Sequence, residues 1–157
     1  MRKRKVTPST RLNRILDQRW LDLESAASVE ITSEDSAFPI ESALLQQEER
    51  GWRAADAGVQ TIRVIFDEPQ KLKRILLEFE ETETNRTQEF SLRWSPDQGN
   101  SFREIVRQQW NFSPQGTMSE TEDHHVELPA VTVLELSIIP DISGGNAPAA
   151  LAQLRLA

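Results

Sequence analysis

Residues Phe90–Val106 constrain the fold more than any other stretch of this chain. Phe90, Leu92 and Trp94 recur at period two, which predicts a half-buried strand. Ser95-Pro96-Asp97-Gln98-Gly99-Asn100 then concentrates residues that supply turn dihedrals and local side-chain hydrogen bonds. Arg103–Val106 resumes an extended run, so the whole segment, from roughly residue 87 to 108, reads as a β-hairpin.

The same period recurs on both sides of the hairpin. Ser28–Ser33 is a short strand; Gln60–Phe66 turns Ile62, Val64 and Phe66 inward, and Lys71–Glu81 does the same with Ile75, Leu77 and Phe79. Asp67–Gln70 reads as a turn between those two strands. Further strands are expected at 122–128, 131–139 and 150–156, divided by Leu128-Pro129-Ala130 and the Pro140–Pro148 loop. Residues 34–51 are irregular, with Pro39 and a helical turn at Ser42–Gln47. About eight short strands predict an all-β jelly-roll sandwich. The one helix expected lies over residues 9–24, where Leu12, Ile15, Leu16, Trp20 and Leu23 form an apolar stripe. It can pack on its own sandwich or present that stripe to a membrane surface or partner.

Charge divides the chain. Residues 1–20 hold seven basic side chains, Arg2 to Arg19, against Asp17 alone, while the rest holds 11 basic and 24 acidic ones. This marks residues 1–23 as a basic arm and helix, and 24–157 as an acidic domain that repels nucleic acid at long range. The arm suits an anionic partner, phosphate or lipid, or folds back on the acidic body. No cysteine is present, which excludes disulfides, thiolate metal sites and cysteine nucleophiles. Thr7-Pro8-Ser9-Thr10-Arg11 follows the basic start where a signal peptide needs an apolar run. No run reaches transmembrane length, and a cytoplasmic location is expected.

With these elements placed, the order of motifs resembles discoidin (coagulation factor 5/8 C-type), galactose-binding-like domains. The resemblance covers residues 24–157 and rests on the Ala43-Leu44 turn, Trp52, a strand ending near Pro69, the Ser-Pro-Asp-x-Gly hairpin and the closing Leu151–Leu156 run. It implies a non-enzymatic binding module. Gly51–Val64 is also similar to the N-terminal domain of the X-ray repair cross-complementing scaffold protein, which has the same fold and serves protein and nicked-DNA contacts. Discoidin-type domains often hold a structural calcium ion through an Asp after the Ala-Leu pair and a Glu in the last strand. Leu45 and Gln153 stand in those places here. A leucine removes a ligand from a shell that needs six to eight oxygens, so no metal or other cofactor is expected unless Glu48, Glu49 or backbone carbonyls complete a calcium shell.

Catalytic motifs are wanting: there is no Walker loop, no GxGxxG and no nucleophile elbow. His124 and His125 are adjacent on a strand and point to opposite faces, which argues against one metal ion. Sugar recognition needs apolar ring faces beside a few placed polar groups. Arg107, Gln109, Trp110 and Asn111 offer that combination where a strand meets a loop, as do Trp52 with Arg53 and, in a flexible loop, Asn146. Trp94 continues the buried face of the hairpin; Trp52 and Trp110 can be platforms or core. The expected function is therefore binding of a carbohydrate or glycoconjugate through loops at one end of the sandwich. The alternative is a protein-interaction module that can work in association with nucleic acid, in the manner of the repair scaffold.

Overall fold

A computed structural model describes residues 20–46 and 50–157. The basic arm and most of the expected 9–24 helix lie outside these residues. In the described part of that helix, residues 20–22 are not helical, and a four-residue turn, α1 (Leu23–Ala26), follows. The chain then runs β1 (Ala27–Ile31), α2 (Glu41–Leu44), β2 (Trp52–Ala57), β3 (Gln60–Glu80), β4 (Arg86–Ser95), β5 (Arg103–Phe112), β6 (Ser119–Ile139), β7 (Pro148–Leu151) and β8 (Gln153–Leu156).

Two strands of 21 residues each, β3 and β6, build the sandwich. A typical strand has about five or six residues, and these two are longer because each serves both layers. The first part of β3 pairs with β1 and with the end of β6, Ile62 opposite Ile31 and Leu136. Its second part pairs with β8 and with the start of β6, Leu77 opposite Leu154 and Glu122. Register shifts between Ile65 and Arg74 mark the bend. Pro69 and Pro129 stand at the corner; neither has an N–H to give to the ladder. The expected breaks at 67–70 and 128–130 are thus bends within continuous strands. Bulges accommodate a change of layer without ending the pairing.

The larger layer has the order β1-β3-β6-β4-β5, and a separate ribbon pairs β2 with β7. Across the layers the Phe79 and Phe90 rings meet at 5.1 Å. Ile62, Val64, Leu136, Ile138, Phe90 and Leu92 from one layer and Leu72, Ile75, Leu77, Phe79, Leu154 and Leu156 from the other form one buried core. Each such side chain contributes about 1.5–3 kcal/mol relative to exposure. Trp94 is buried with them.

The hairpin turn is held by its own side chains. Ser95 Oγ accepts from the Asp97 and Gly99 amides, and Asp97 Oδ1 accepts from Ser95 Oγ and the Ser101 amide. The Ser101 and Ser95 hydroxyls draw the Asp97 carboxyl down to about 2. Thr132 donates to Ser95 O and accepts from the Gln98 amide, which fastens the turn to β6.

The strand pairing places the 81–85, 113–118 and 140–147 loops and the β2–β3 turn at one end of the sandwich. The β4–β5 turn, the strand corners and α1 lie at the other.

Candidate functional site

Strand alternation decides where the expected binding residues lie. On β5, Gln88 faces Trp110 and Arg86 faces Phe112, so Trp110 points inward beside two buried neighbours. Its indole N–H is buried and unpartnered. Arg107, Gln109 and Asn111 occupy the alternate, outward positions. Arg107 and Gln109 reach Glu89, and Asn111 accepts from the Thr87 hydroxyl at 2.6 Å. Asn146 is exposed in the adjoining loop, which is tied to β4 by the Ile142 amide on Thr87 O.

Trp52 requires a correction. Its ring is 1% exposed and its indole donates to Ser33 O at 3.1 Å, so it is core and offers no platform. Arg53 lies over the Phe38 ring at 4.7 Å beside a cleft of about 60 Å³. The seven expected residues therefore do not form one pocket. Arg107, Gln109 and Asn111 share a face, with Asn146 at the same end, while Trp110, Trp52 and Arg53 lie elsewhere.

The face that Arg107 belongs to carries more chemistry than its sequence suggested. In adjacent strands Arg63, Glu135 and Arg93 fall in register. Glu135 is nearly covered. Its Oε2 accepts from Arg63 Nε at 2.7 Å, and its Oε1 from Arg93 Nε at 2.9 Å and Nη2 at 2.5 Å. The arginine side chains remain 43% and 39% exposed, against 4% for the glutamate. Phe102 sits beneath both guanidinium groups, 5.4 Å and 4.5 Å from its centroid; such stacking fixes a planar cation while leaving its edge free.

Three depressions join along this face. One of about 250 Å³ lies between Arg107 and Arg93, and shares Arg93, Glu135 and Ser137 with one of about 400 Å³. That second depression shares Glu30 and Arg63 with a third, about 340 Å³, walled by Phe102, Gln98 and Asp67. The result is a groove across the outside of the larger layer. Arg63, Arg93, Phe102, Glu135 and Ser137 were not anticipated. Their only signal was the polar phase of the alternation, Thr61/Arg63, Ser91/Arg93 and Glu135/Ser137, which any solvated sheet face shows.

Two other charged groups are structural. Arg86 is buried over Phe112, and donates to Glu81 at 2.6 Å, Gln88 at 3.1 Å and Pro140 O at 2.7 Å. Burial pushes the Glu81 carboxyl up, but the Arg86 and Glu83 hydrogen bonds outweigh it, and the net shift is downward. Inside the sandwich, Glu120 is pushed up to about 7 by burial and by the neighbouring Glu122.

The calcium arrangement of discoidin-type domains does not fit these residues. Arg155 Nη1 donates to Ala43 O at 2.8 Å and Nη2 to Leu45 O at 3.2 Å, so the protein's own cation lies on those carbonyls. Gln153 is hydrogen-bonded to Glu78. Among the described residues, no three His, Asp or Glu side chains stand together as a metal shell.

No family profile and no curated protein sequence matches the chain. Solved structures do match. A family 32 carbohydrate-binding module from C. perfringens NanJ, in complex with galactose, is 14% identical with a TM-score of 0.64, covering 87% of this chain and 96% of that one. A pectin-binding carbohydrate-binding module is 19% identical at 0.59, covering 84% and 90%. The family 32 module of AlyQ, in complex with 4,5-unsaturated mannuronic acid, is 14% identical at 0.59, covering 85% and 95%. At these identities the likeness establishes the fold: a galactose-binding-like β-sandwich.

Proposed function

We propose that this chain is a non-catalytic carbohydrate-binding module whose ligand lies against Arg107, Gln109 and Asn111 on the outer face of β5, with Asn146 in the adjoining loop. The observation that carries this reading is the open groove that begins at Arg107 and is lined by guanidinium, carboxylate and hydroxyl groups. Sugar hydroxyls need both donors and acceptors at fixed positions, and a sheet face holds them more rigidly than a mobile loop does. That several structures of this fold are carbohydrate-binding modules supports the same reading.

A glycan array probed with the whole chain tests it. Binding that falls in Arg107→Ala and persists in Trp110→Phe supports the outer face. Binding lost in Trp110→Phe but kept in Arg107→Ala moves the site to the inner edge.

A second reading, a protein-interaction surface, is favoured by one observation. The exposed large apolar side chains among the described residues are Val59, Met118 and Ile142, and all three lie in loops at one end. An empty glycan array, together with a stoichiometric protein partner released by Ile142→Ser, would select it.

A further inference from the structure

We infer that the groove takes an extended glycan chain laid across the strands, and that its sugar units carry carboxylates held by Arg63 and Arg93. This rests on the carbohydrate-binding reading and specifies its ligand.

The first argument is length. The groove crosses β5, β4, β6, β3 and β1, from Arg107 to Glu30. Four inter-strand steps of about 4.8 Å give a track of about 19 Å. That exceeds one sugar ring several times over, and each depression shares lining residues with the next. A track of this length suits the interior of a chain.

The second argument is hydrogen-bonding capacity. At the centre, Glu135 already accepts three N–H groups. Among the described residues, both Nη groups of Arg63 and Nη1 of Arg93 make no hydrogen bond, though both side chains are well exposed. Arginine has five donors and no acceptor, so the unused capacity of these two guanidinium groups is donor only. The complementary group is an acceptor, and a carboxylate matches the planar fork best. Charge agrees in its placement: across the strands the row reads Glu30, Arg63, Glu135 and Arg93, and with Glu135 covered beneath its two arginines the guanidinium groups are what the centre presents to a ligand. At the groove ends the balance differs. Glu89 is engaged by Arg107 and Gln109, and Glu30 stands exposed at the β1 rim. Ring carboxylates are thus placed over β4, β6 and β3, and neutral hydroxyls toward β1.

Isothermal titration with galacturonate oligomers of increasing length, and with the same oligomers after reduction of carboxyl to alcohol, tests this. Affinity should rise with length. It should drop about tenfold or more on carboxyl reduction and again in Arg93→Ala, the weight of one charge-assisted hydrogen bond. Because Arg93→Ala strips Glu135 of a partner, Ser137→Gln is the second variant: it fills the groove floor, leaves both ion pairs, and should also weaken binding about tenfold or more. Equal affinity for single galacturonate and for the longest oligomer, equal affinity for reduced oligomers, or undiminished binding in Ser137→Gln overturns the inference while carbohydrate binding stands. Preference for polyphosphate over every glycan overturns it in favour of a general anion site. Silence toward these oligomers and toward a broad glycan array removes the carbohydrate reading itself.

Discussion

Replacing Glu120 by glutamine should stabilise this protein at neutral and alkaline pH, and leave it little changed in acid. Glu120 is 4% exposed and sits on the inward phase of β6, opposite Phe79 in the ladder. Its Oε1 has no hydrogen-bond partner. On the same phase are Glu122 and His124, whose Oε1 and Nε2 are 3.4 Å apart without forming a hydrogen bond. Burial, then Glu122, raises the Glu120 carboxyl from 4.5 to about 7. The unfolded chain has the ordinary value. Below about pH 4.5 both states are protonated and the site costs nothing. Between about 4.5 and 7 the unfolded state ionises while the folded state holds its proton, so stability falls. Above 7 the loss is complete. At 1.36 kcal/mol for each step of one in pKa, the loss totals about 3 kcal/mol. Other carboxyls act in a different window: Asp97, Glu81 and Asp123 are all lowered, and their contribution disappears only in stronger acid. Urea unfolding at pH values from 4.5 to 8 reads the effect directly. The wild-type free energy should decline across this range while that of Glu120→Gln declines much less. Parallel curves for the two proteins would refute the argument, since they would mean that Glu120 ionises normally in the folded state.

Three other outcomes follow from the packing. Gly51 has φ +77°, and a Cβ there would lie 2.8 Å from Leu151 O; Gly51→Ala should cost about 2–4 kcal/mol in denaturant unfolding, because the clash is with backbone. Asp97→Ala removes the acceptor of the Ser95 and Ser101 hydrogen bonds. It should lower Tm at neutral pH, with the difference from wild type closing as pH falls toward 2. Calcium or a chelator should leave the wild-type Tm unmoved in differential scanning fluorimetry, since Arg155 holds the carbonyls of Ala43 and Leu45; a calcium-dependent rise would show that the guanidinium yields its place.

Much of the scaffold was legible because burial enforces period two. Ile62/Val64/Phe66 and Phe90/Leu92/Trp94 are inward wherever one expects them, and the Ser95–Ser101 turn closes through the side chains that announced it. Continuity was less visible. Pro69 and Pro129 look like strand ends, yet each stands where a long strand changes layer, and local sequence does not distinguish a corner from a break. The ribbon strand β2 was missed because only Trp52 and Ala54 of its six residues are buried. Trp52 also shows how an aromatic next to an arginine misleads: the pair suggests a platform, but the ring faces inward and only Arg53 remains accessible.

The candidate site was harder to read for a reason that applies to any sheet surface. Arg63 and Glu135 are 72 residues apart, and Arg93 and Glu135 are 42 apart. Each, taken alone, is a charged residue on a polar phase, indistinguishable from those that only meet water. Register turns them into a unit, and register depends on every inward residue between them. A shift of one position would send Glu135 into the core and scatter the arginines. Hydrophobic alternation that is legible in the sequence therefore determines the polar geometry that is not. Once Leu134 and Leu136 are committed inward against Val64, Ile62, Trp94 and Leu92, Glu135 has no alternative but to lie outward between Arg63 and Arg93. The core is what aligns the groove, so conservative changes to its inner face should shift the Arg63–Glu135–Arg93 geometry at a surface they never touch.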